Sequence, residues 1–169
     1  MKRASVRVLL VLGLSSICLA AADFGGTWVF DKAKSDPIRM GRGGDAGGPP
    51  PDIEITLTIK QSENELQITR NMTMGSNPPR TADQKFTLDG TENKNPAPMG
   101  RGEMVSKSKW NNDVLVIEGS RKVSTPNGDF DIKSKDEYAL SEGGKVLTIT
   151  STTSSQQGER TAKQVFNKK

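Results

Sequence analysis

The chain contains no histidine, one cysteine and few aromatic residues, 5% in all. Without histidine it cannot build a Ser-His-Asp or Cys-His catalytic arrangement, an HExxH site or most zinc sites. The lone thiol, Cys18, lies in the leading apolar stretch, so no disulfide can staple the remainder. Stability must come from a core and a backbone ladder. Carboxylates, Lys, Ser and Tyr are the groups left for chemistry, and no two acids stand out as a catalytic pair. The expectation is a protein that is not an enzyme and carries no cofactor and no metal. Asn127-Gly128-Asp129 with Asp131 lacks the spacing of a calcium loop and reads as a turn.

The leading residues have the layout of a signal peptide: Lys2, Arg3 and Arg7, the apolar Val8–Leu14, then small residues up to Ala22. That apolar run is too short to span a bilayer. The expectation is cleavage after Ala22, a secreted or periplasmic product, and a domain over 23–169. Three of the 24 basic residues fall before the cut, leaving 21 against 20 acids, so the basic character belongs mostly to the precursor. The charges alternate in sign along the chain, which predicts a solvated exterior and no nucleic-acid partner.

From Ile53 onwards the apolar residues alternate. Ile53, Ile55, Leu57 and Ile59 are separated by polar residues, a period of two that fits a strand and not a helix. Similar segments recur at about 66–74, 80–88, 103–110, 114–123, 130–140, 146–153 and 159–167, divided by Gly, Pro and Asn turns. With 27–30 this predicts nine short strands, an all-β fold and an antiparallel up-and-down meander closing into a barrel. Nine is awkward, because an all-antiparallel ring needs an even number. Either one strand is misjudged or the first meets the last in parallel. Two segments break the alternation, a Gly/Pro-rich loop over 39–51 and an irregular stretch over 95–102. Each contains Met-Gly-Arg-Gly, which reads as biased loop composition or as a flexible Arg-bearing contact for an anionic partner.

Gly26-Thr27-Trp28 opens the first strand and resembles the Gly-x-Trp signature of lipocalins. The chain is also similar to small exported bacterial proteins with a Gly-Thr-Trp start. The lipocalin (calycin-type) resemblance implies that Trp28 plugs one end of the barrel, with a basic residue of the last strand, Arg160 or Lys163, packed across it. Gly128-Asp129-Phe130 partly echoes a second lipocalin motif, which lies between the sixth and seventh strands.

The inward register of such a barrel contains polar residues. Arg70 falls between Ile68 and Met72, and Arg121 follows Leu115, Ile117 and Gly119. Gln84 precedes Phe86, while Ser134, Asp136 and Tyr138 sit between Ile132 and Leu140. The expected hairpin register puts Asp136 opposite Ser151, and Arg70, Gln84, Asp136 and Ser151 near one middle level. A buried guanidinium needs a carboxylate, a ligand or water. One reading is a cavity holding a small hydrophobic or anionic amphiphilic ligand, with Arg70 and Arg121 on its acidic head and Tyr138, Ser134, Gln84 and Asp136 adding polar contacts. The other is a filled barrel acting as a structural or interaction module of the cell envelope, in which Arg70 pairs with Asp136, the arginines snorkel to a rim, or a bulge turns them outwards.

Overall fold

The computed structural model describes residues 22–38, 52–97, 102–125, 128–156 and 158–169. The leading segment through residue 21, the Gly/Pro-rich loop over 39–51 with its Met-Gly-Arg-Gly, and the first three residues of the second such motif lie outside these. The described residues form ten strands and a single short 3-10 turn. They are β1 (Gly26–Phe30), β2 (Ile53–Gln61), β3 (Glu65–Met74), β4 (Arg80–Thr87), β5 (Glu92–Pro96), β6 (Glu103–Asn111), β7 (Val114–Thr125), β8 (Gly128–Ser141), β9 (Val146–Ser155) and β10 (Gly158–Lys168).

All ten belong to one antiparallel sheet, ordered β4-β3-β2-β1-β10-β9-β8-β7-β6-β5. Consecutive strands pair except β4 with β5, and the first meets the last antiparallel, with Trp28 opposite Lys168 and Phe30 opposite Phe166. The even count removes the closure difficulty. The extra strand is β5, whose sequence Glu-Asn-Lys-Asn-Pro holds no apolar alternation. Its inward positions are Asn93 and Asn95, and both are buried.

These two asparagines explain how the ring closes. No backbone ladder joins β4 to β5. Instead the Lys85 amide donates to Asn95 Oδ1 at 2.8 Å, and Asn95 Nδ2 donates to the Lys85 carbonyl at 2.9 Å. The Thr87 amide donates to Asn93 Oδ1 at 2.9 Å. A side-chain amide has the donor and acceptor of a peptide group, so each asparagine stands in for a ladder rung.

Antiparallel pairing puts the β1–β2, β3–β4, β5–β6, β7–β8 and β9–β10 connections at one end of the barrel. The opposite end is filled. Trp28, Phe24, Leu66, Phe86, Leu115, Leu147 and Phe166 are almost fully buried there. Trp28 donates its indole N–H to the Phe24 carbonyl at 2.8 Å, and Phe24 stacks on Trp110 at 5.8 Å. Trp28 is thus fully buried within this end. The basic residue over it is Lys168, with Nζ 5.2 Å from the ring centre. Arg160 and Lys163 are too far back along β10, opposite Thr153 and Thr150. The added strand also moves Gly128-Asp129-Phe130 to the start of β8, after the β7–β8 connection, so its echo of the lipocalin motif does not hold.

Replacing Trp28 with Ala should cost about 3–5 kcal/mol, the usual loss for a large buried aromatic. Replacing Asn95 with Ala should cost about 2 kcal/mol by stranding both polar groups of Lys85. Urea unfolding of each variant checks both values. An Asn95→Ala variant as stable as the parent would show that the seam does not depend on the side-chain rungs.

Candidate functional site

Inward side chains at the plugged end are mostly aliphatic or aromatic, whereas several at mid-height are polar or charged. Arg70 on β3 lies opposite Leu57 of β2 and Ala82 of β4. On the facing wall, Asp136 of β8 lies opposite Ile117 of β7 and Ser151 of β9, and Tyr138 opposite Leu115 and Ile149. The Arg70 side chain runs beneath β2 and β1 and donates from Nη1 to Gln164 Oε1 on β10 at 3.4 Å. That bond is long, at the edge of useful geometry. The field of Asp136 and Tyr138 reaches Arg70, so the three groups share one environment.

Their protonation reflects burial more than pairing. Desolvation lowers the Arg70 pKa against the opposing pull of Tyr138 and Asp136. It raises that of Asp136, despite a hydrogen bond from Ser151 and the nearby Arg70. The Tyr138 hydroxyl is driven well above its ordinary range, first by burial and then by the Asp136 charge, and stays protonated. Seven ion pairs join described residues, and none includes Arg70 or Asp136. The expected Arg70–Asp136 pair within a filled core is thus not formed. The two charges influence one another without touching.

The wall above these groups is not sealed. Arg70, Met72, Met74, Ile132, Ser134, Asp136 and Ser151 are inward by register yet only half-buried. Ala82 and Ala162, on the same inward parity, are exposed. Solvent therefore reaches the inner face from the end opposite Trp28. Side-chain crowding shapes this wall too: a Cβ on Gly119 would meet Ser134 Oγ at 3.1 Å and Met104 Sδ at 3.2 Å.

The remaining expected residues are placed as follows. Ser134 Oγ contacts Met104 Sδ at 3.8 Å. Arg121 faces inwards on β7, opposite Ile132 and two inward steps from the Asp136 level. Gln84 does not share the Arg70 level, because Ala82 stands opposite Arg70 and Gln84 pairs with Ile68, nearer the plug. Gln164 was missed. Its signal was present in the parity of Ala162, Gln164 and Phe166, which all face inwards on β10.

The fold and site define a ten-stranded antiparallel β-barrel with an apolar floor and a mid-section that carries polar and charged groups. No protein-family model matches the chain, and no curated protein matches it in sequence. Among solved structures it is similar to a zebrafish ileal bile acid-binding protein complexed with cholic acid. The TM-score is 0.57 at 19% identity, over 86% of this chain and 98% of that one. At this identity the likeness is one of fold.

A carboxylate whose pKa is raised in the folded state contributes stability below its unfolded value, and that stability is lost as pH rises through the folded value. Asp136 therefore opposes folding at neutral pH. Asp136→Asn should unfold at higher urea than the parent at pH 7, and the difference should vanish below about pH 4, where an unfolded Asp is protonated. Equal midpoints at both pH values would place Asp136 in bulk solvent.

Proposed function

We propose that the barrel is a non-catalytic, exported carrier that holds a small amphiphile, apolar tail against the aliphatic wall and acidic head at Arg70. The observation that carries this is the half-buried Arg70 side chain, inward by register opposite Leu57, with no ion pair among the described residues and a single long hydrogen bond. Desolvating a guanidinium costs several kcal/mol unless a partner restores its interactions. An anionic head would do so, and its tail has half-buried Met72, Met74 and Ile132 to cover.

Other features support the same reading. Tyr138 is held protonated, so its hydroxyl can donate to an anion. Similarity to a barrel whose complex contains cholic acid adds a precedent for an amphiphilic acid within this architecture. Secretion or residence in the periplasm follows from the leader-like layout of residues 1–22 and is part of the proposal.

Titration with dodecanoate, followed by calorimetry and tryptophan fluorescence, tests it. Saturable binding at one site is expected. Arg70→Met should weaken it about tenfold or more, the value of a hydrogen bond to a charged group, without lowering the thermal midpoint. Unchanged affinity in Arg70→Met would remove Arg70 from the site. Failure of every amphiphile to bind would favour an envelope interaction module with a filled barrel.

A further inference from the structure

The separation between Arg70 and Asp136 restricts the kind of head group the barrel accepts. A guanidinium offers five N–H donors and a carboxylate about four acceptor positions. Arg70 uses one donor, on Gln164, and Asp136 stands opposite Ser151. Both side chains are inward by register on facing walls of the barrel, near enough for each charge to bias the other yet outside ion-pair distance. The other charged or titratable groups facing Asp136 are Tyr138 on β8 itself and, two inward steps away on β7, Arg121. At its own level β7, β9 and β10 present Ile117, Ser151 and Ala162, none of them charged, and Gln164 stands one inward step nearer the plug, opposite Ile149.

A plain carboxylate docked on Arg70 would answer only half of this arrangement. It would bring a second anion towards Asp136, and two like charges at short range cannot both remain ionised without penalty. One proton would have to be taken up and shared by the pair. A head that carries a hydroxyl or N–H beside its acid avoids the conflict. Its anion meets Arg70 while its donor meets Asp136, and both protein groups keep their charge.

We propose that the ligand is an anionic amphiphile with a hydrogen-bond donor next to its acid group, of the hydroxy-acid or N-acyl amino-acid class, bridging Arg70 and Asp136. This rests on the carrier reading above and narrows it.

Calorimetry at pH 7 in two buffers of different ionisation heat compares dodecanoate with 3-hydroxydodecanoate on the full barrel. The hydroxy acid should bind about tenfold tighter, as one added hydrogen bond to a charged group implies, with no net proton uptake. Dodecanoate should take up a fraction of a proton and weaken as pH rises past the ionisation of Asp136. In Asp136→Asn that uptake should disappear and the preference should narrow. Equal affinities with no proton uptake for either acid would overturn the head-group inference and leave the carrier reading standing. If neither acid binds, both fall.

Discussion

Closing a sheet upon itself sends every second side chain into a shared interior, and that interior must be packed, solvated or occupied. The chain meets this constraint differently along its height. Around Trp28 it packs: an indole hydrogen-bonded to Phe24, a stacked Trp110 and the Lys168 ammonium over the ring form a sealed floor. At mid-height it places Arg70, Asp136, Tyr138, Ser151 and Gln164 where a filled core would put aliphatics. The floor fixes the ring, and the ring forces these polar groups to face one another.

That division between stability and function is visible in the charges. The ion pairs among described residues involve outward groups such as Lys32–Asp52 and Lys109–Glu118, where solvent screens them and each contributes little. The interior charges are fewer and oppose folding, as the shifts of Arg70 and Asp136 show. Two charged groups retained in an interior at a cost to stability, without neutralising one another, fit a binding site better than a scaffold.

Alternation made most of this legible. Ile53, Ile55, Leu57 and Ile59 are buried as their parity required, and Asp136 stands opposite Ser151 as the hairpin register required. Four features escaped for physical reasons. β5 has asparagines where other strands have aliphatics, so hydrophobic period could not reveal it; its inward side chains act as hydrogen-bonding rungs. Lys168 was passed over for Arg160 and Lys163 because the offset between β1 and β10 depends on where β1 stops, which side-chain alternation does not encode. Gln84 was placed one inward step too high, since the β3–β4 turn fixes that register. The absence of an Arg70–Asp136 contact is a matter of side-chain reach across the ring, which only three-dimensional placement decides.

A crystal structure of the barrel with bound dodecanoate addresses the central issue most directly. The carboxylate should lie within hydrogen-bonding reach of the Arg70 guanidinium, with the chain running along Met72, Met74 and Ile132 towards the end opposite Trp28. A carboxylate in bulk solvent at that end, or the acid seated on the outer face while Arg70 keeps only Gln164, would contradict it.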